Sequence, residues 1–182
     1  MAARNRASRL SLPRDVKQSL QLDPGEHPLA WAVDDDGHWY VGTDRALHLK
    51  PGSPGQRKLG WERIERADWH GEARLLGLVE VGEWGEAEDR TTITVAEPGA
   101  LLELLRERVT KSVLVTVYAP VRSRLGLSVV GRRSPVGDGP VTWSFVLAQG
   151  LRPDDADVQQ VAQQALAQAA AEVPDVPSEP PR

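Results

Sequence analysis

Residues able to do chemistry lie along this chain in a few short clusters. Asp34-Asp35-Asp36-Gly37 offers carboxylates and a glycine, the ingredients of a calcium loop, in which spaced oxygens converge on one ion and a bidentate Glu closes the cage at position twelve. With Gly37 as the loop glycine, Asp34 and Asp36 fall on ligand positions, but position one is Ala32 and position twelve is Thr43. The segment therefore reads as a hairpin turn, and no metal is expected. His27, His38, His48 and His70 are scattered, and no pair has the i, i+4 spacing of a helical zinc site. Glu80, Glu83, Glu86, Glu88 and Asp89 crowd a glycine-containing hairpin around Trp84. Paired carboxylates do acid–base work only when their surroundings separate their pKa values, and an exposed loop separates none. The chain carries no G-x-S-x-G, no P-loop and no G-x-G-x-x-G. Neither catalytic residues nor a cofactor are expected.

What remains is chemistry of contact. Trp84 is a candidate interaction residue, because aromatic side chains are enriched at interface hot spots. Arg122, Arg124, Arg132 and Arg133 flank one expected strand and concentrate positive charge in a chain of net charge −4. They are the second candidate surface, suited to an anion or a protein.

Composition narrows the classes. With 182 residues, 40% hydrophobic and 26% charged, the chain falls in the range of folded soluble proteins and suits one good core or one core with a smaller attachment. The acidic balance argues against a specific nucleic-acid partner, which draws a strongly basic domain. Cysteine is absent, which fits a reducing, cytoplasmic setting. No run reaches the length of a membrane span, and the Arg-dotted start lacks the apolar stretch of a secretory signal. The preference for Arg over Lys, with abundant Ala, Val and Gly, is a bias of high-GC bacterial genomes.

The elements that must position these residues are readable from periodicity. Residues 1–23 read as a basic tail, with Arg4, Arg6, Arg9 and Arg14, followed by a short helix from Pro13 that places Val16 and Leu20 on one face. Asp23-Pro24-Gly25 then turns the chain. From Leu29 the period becomes two, and seven short strands are expected: 29–33, 39–41, 47–49, 58–61, 64–69, 74–81 and 91–95. Trp31, Trp39, Trp61, Trp69 and Trp143 fall mostly on core-facing positions. A helix over 97–110 follows, with Leu101, Leu102, Leu105 and Val109 as its apolar stripe. Past Lys111, three more strands are expected around Val113–Val117, Leu125–Val129 and Val141–Leu147, then a helix capped by Asp154 or Asp155. Residues 174–182 are Pro-rich and acidic, the composition of a disordered tail.

The order of seven strands and one amphipathic helix, with Gly25-Glu26 before the first strand and Trp61-Glu62-Arg63-Ile64 leading to Trp69, resembles the bacterial pleckstrin-homology-like (PH-like) domains of actinobacterial type. The resemblance covers residues 24–110. It implies a bent seven-stranded antiparallel sheet capped by a helix, and a scaffold for binding. The three strands and helix expected past residue 111 add a C-terminal βββα unit over 111–173 that either stands alone or shares the core, and the chain as a whole is expected to be α+β and mainly antiparallel. Lipid-binding relatives gather Lys and Arg around the first hairpin to hold phosphorylated inositol, whereas this hairpin carries Asp34, Asp35 and Asp36, which would repel a phosphate. The expected function is a non-catalytic module that recognises a protein partner through a sheet edge or a groove beside helix 97–110, self-association included. The alternative is a peripheral adaptor that meets an anionic membrane or polymer through the basic tail and the Arg122–Arg133 patch.

Overall fold

The computed structural model describes residues 11–86 and 88–173, which form an α+β chain with mainly antiparallel strands in three sheets and few helices. They divide into two compact units. The first holds residues 11–81, 88–112 and 134–136, and the second holds 82–86, 113–133 and 137–173. The tail residues Arg4, Arg6 and Arg9 and the segment 174–182 lie outside the described residues.

In the first unit a short helix, α1 (Arg14–Ser19), precedes β1 (Pro28–Val33), β2 (Trp39–Thr43), β3 (Ala46–Leu49) and β4 (Arg57–Gly60), which pair in sequence order as one antiparallel sheet. A 3-10 turn at Trp61–Arg63 leads into β5 (Ile64–His70), β6 (Leu75–Glu80) and β7 (Arg90–Thr94), the second sheet. The seven strands are thus split four and three rather than forming one sheet, and among the described residues a bridge from Asp34 to Val95 links the two sets. The chain breaks between them because Trp61, expected in a strand, sits in the 3-10 turn. There its side chain is fully buried and its indole N–H donates to the Thr43 carbonyl at 3.2 Å.

The helix α2 (Gly99–Ser112) covers this core with Leu101, Leu102, Leu104 and Leu105, all buried. Its close approach decides which face of β1 turns inward. Ala30 and Ala32 are buried in the main core while the larger Leu29 is 47% exposed. On the neighbouring strand, a Cβ at Gly42 would stand 2.6 Å from a Leu104 methyl and 3.0 Å from one of Leu101. Bulk on this face would displace the helix. Trp31 and Trp39 use the opposite face, packing with Val16, Leu20 and Val41 against α1.

The second unit is simpler. β8 (Val113–Arg122), β9 (Leu125–Arg132) and β10 (Thr142–Leu147) form an antiparallel sheet in the order β10-β9-β8, and α3 (Ala156–Glu172) packs on it. Val158, Ala162, Ala165 and Ala169 of α3 are buried against Val117, Leu127 and Val129. Asp155 stands at the N-cap position of α3, yet its carboxylate makes no cap bond; it accepts instead from the Arg122 guanidinium at 2.9 Å.

Because Leu105 is fully buried beneath α2, Leu105→Ala leaves a cavity and lowers the unfolding free energy by about 2–5 kcal/mol. Urea unfolding followed by tryptophan fluorescence reads this directly. An unchanged midpoint would contradict the packing of α2 on the first core.

Candidate binding groove

The groove is built in the second unit from three pieces of chain. Phe145 lies on β10 with its neighbours Trp143 and Leu147 partly buried against α3. Trp84 arrives from the loop between β6 and β7, where Gly85 takes a φ of +79° and gives the turn its left-handed step. The two rings meet edge to face, with centroids 4.9 Å apart and planes at 83°, the arrangement that sets a positive ring edge against a negative ring face. Gln159, Ala162, Gln163 and Leu166 of α3 supply the opposite wall, and the open groove between them has a volume of about 370 Å³. Aromatic floor, small and aliphatic wall and amide rim make an apolar slot with hydrogen-bonding edges. It lies beside α3 rather than α2, whose leucines are spent on the first core.

Of the residues singled out from sequence, Trp84 is therefore part of a shaped surface. The arginines do not gather into one. Arg122 and Arg124 stand at one end of β9 and Arg132 and Arg133 at the other, roughly 25 Å apart on an extended strand. Arg122 is bound by Asp155 and by Asp157, the latter accepting from Nε at 2.6 Å. These two carboxylates hold the guanidinium firmly charged, raising its pKa. Arg132 is buried. Phe145, Gln159 and Gln163 were not singled out, because only the fold brings residues so far apart in sequence to Trp84.

The titratable groups have structural work. Glu26 is buried and accepts four hydrogen bonds: Thr43 Oγ1 at 2.6 Å and His48 Nε2 at 3.0 Å on one oxygen, the Asp23 amide at 2.8 Å and Lys58 Nζ at 2.6 Å on the other. The register supplies two of the donors together, since His48 and Lys58 are paired across β3 and β4. Burial pushes the Glu26 carboxyl up, but the bonds from His48, Lys58, Thr43 and Asp23 outweigh it and bring its pKa down from 4.5 to about 2. A carboxylate so saturated is an anchor for the strands around it.

Asp34 behaves alike. One oxygen accepts from the amides of Asp36 and His38 at 3.0 and 2.8 Å, the other from the His38 ring at 3.1 Å and Tyr40 Oη at 2.9 Å. Burial raises the Asp34 carboxyl and these bonds, led by the His38 amide, lower it further. Asp34, Asp36 and His38 bring ligand-type atoms within 4.8 Å of one another, and the bonds to Asp34 hold the turn shut. Of the acidic residues around Trp84, Glu80 at the end of β6 accepts two bonds from Arg57, at 2.6 and 2.7 Å, and Glu88 pairs with Arg90 at 2.7 Å. His38, just before β2, and His48, on β3, each answer a different carboxylate.

No family model, curated protein or solved structure matches the chain. No helix among the described residues is long and apolar enough to cross a membrane.

The depressed Glu26 pKa has a definite sign for stability. Protons bind the unfolded chain near 4.5 and the folded one near 2, so the contribution is full above about pH 5 and is lost as pH falls through 4.5 to 2. Its size at neutral pH is on the order of 3 kcal/mol, from about 1.4 kcal/mol per pKa unit. Denaturation of the parent and Glu26→Gln across pH 2–7 should show the parent losing its extra stability within that window. Parallel pH profiles would contradict the assignment.

Proposed function

We propose that this chain is a non-catalytic binding module on a PH-like scaffold, and that it recognises an extended segment of a protein partner in the groove between Trp84, Phe145 and α3. What supports the PH-like part is the order of elements: four strands, three strands, then α2 laid over their core. What carries the binding part is the groove itself. Extended proline-containing segments have no internal hydrogen bonds, so their carbonyls need donors from a partner while their rings pack on aromatic faces. The groove offers Trp84 and Phe145 for the rings and the Gln159 and Gln163 amides for the backbone.

The outer edge of β8, which pairs with no further strand among the described residues, favours a second contact. This ten-residue strand lies at the margin of its sheet, with Leu114 44% and Tyr118 61% exposed. Such an edge accepts a further strand, with Pro120 limiting the pairing near one end.

A fluorescent proline decamer titrated onto the full chain tests the groove. Anisotropy should report saturable binding that Trp84→Ala weakens about thirtyfold, the scale of an aromatic hot spot of about 2 kcal/mol. Binding indifferent to Trp84→Ala but abolished by Leu114→Lys with Tyr118→Lys would move the site to the β8 edge. Absence of binding to either surface would overturn the proposal.

A further inference from the structure

The backbone groups on the outer side of β8 can be located from one hydrogen bond. The Ala148 amide donates to the Gly126 carbonyl at 3.0 Å, so Gly126 turns its backbone toward β10, and Pro120, which stands opposite it on β8, turns its own away from β9. The register is regular from Thr116 to Pro120, and alternation therefore sends the N–H and C=O of Thr116 and Tyr118 outward as well. On that side β8 pairs with no further strand among the described residues. Natural edges of this kind are guarded by charge; from Val113 to Val121 this one carries none.

We propose that the occupant of this edge is β8 of a second copy, paired antiparallel about a two-fold axis at Val117, so that two three-stranded sheets join into one of six strands. The donors set the axis. With Val117 opposite Val117, Thr116 faces Tyr118 of the second copy, and each such pair exchanges both of its bonds. All the outward amides of these residues are then used. An axis at Tyr118 would set Thr116 against Pro120, which has no N–H to give, and an axis at Thr116 would draw in Leu114, where the ladder with β9 is bulged.

The helix above the edge agrees. α3 lies over β8 and β9, and Asp157 near its start is held by Arg122 at the end of β8, which marks the flank of α3 on the β8 side. Val161, Gln164 and Gln168 continue that stripe along the helix. Between Asp157 and Glu172 the helix carries no charged residue, and Gln164 and Gln168 are exposed. Paired strands lie about 4.8 Å apart, so a helix set half a strand inward meets its copy at about 10 Å, the packing distance of two helices. The second copy thus covers a strip without charge in a chain of which 26% is charged, and depletion of charge is what marks the core of an interface. The groove lies on the opposite flank of α3, with Gln159, Gln163 and Leu166. Each copy keeps its own.

Sedimentation equilibrium of the full chain across the micromolar range tests this. The mean mass should climb from that of one chain toward that of two. Gln164→Arg/Gln168→Arg, which sets like charges across the axis, should weaken the dimer about tenfold or more while the far-ultraviolet circular dichroism stays the same. Because the chain has no cysteine, introduced thiols report the register: opposed Cα atoms about 5.5 Å apart suit a disulfide. Thr116→Cys chains mixed with Tyr118→Cys chains should therefore give covalent dimers on oxidation, and neither variant alone should. A monomer at every concentration would overturn self-pairing. A dimer that the arginines leave unchanged, or that the mixed cysteines do not lock, would overturn this interface, and one locked by a single variant alone would overturn the axis at Val117. Binding of the proline decamer at Trp84 is read separately, so the groove stands or falls on its own.

Discussion

Trp84, on the 82–86 segment of the second unit, sets its indole edge to face against Phe145 of the same unit. That edge-to-face contact is the constraint on which the functional reading rests. It gives a Gly-flanked, acidic loop a fixed position, and it leaves a slot whose floor is aromatic and whose far wall is the Ala and Gln face of α3. A ring pair of this geometry adds about 0.5–1.5 kcal/mol beyond its buried area. A ligand that packs on the same rings gains surface already held in place.

The wall opposite is set by a different requirement. α3 lies close on its sheet because its inward positions are small: Ala162, Ala165 and Ala169 are buried with Val158. Sheet residues answer in kind, with Trp143 laid across Gly131, where a Cβ would stand 2.7 Å from the indole. The same device recurs in the first unit, where Ala30, Ala32 and Gly42 let α2 descend onto its sheet. In both units, small residues set how close a helix comes, and large ones fill the space at its flanks.

This explains what the sequence disclosed and what it withheld. The period-two runs and the apolar stripes of the two long helices made a mainly antiparallel α+β chain legible, because one face of each element is buried and the pattern records it. The inward face of β1 was not legible, since alternation alone favours Leu29 and Trp31 over Ala30 and Ala32, and only the approach of α2 reverses that preference. The Glu26 anchor was hidden because its donors come from residues as distant as Lys58, brought together by strand register. Arg122 read as surface charge, and a single-residue reading had no means of seeing Asp155 and Asp157 close on it. Trp84 stood out by type, but its partner Phe145 belongs to a strand beyond a helix and three further strands.

The most direct measurement is the response of the tryptophan indole and glutamine amide signals in a two-dimensional nitrogen–proton NMR spectrum as a proline decamer is added to the chain. The account predicts that the indole of Trp84 and the side-chain amides of Gln159 and Gln163 move together and saturate, while the indole of Trp61, buried and bonded to the Thr43 carbonyl, stays where it is. Signals of Trp84, Gln159 and Gln163 that remain fixed while other residues shift would contradict it.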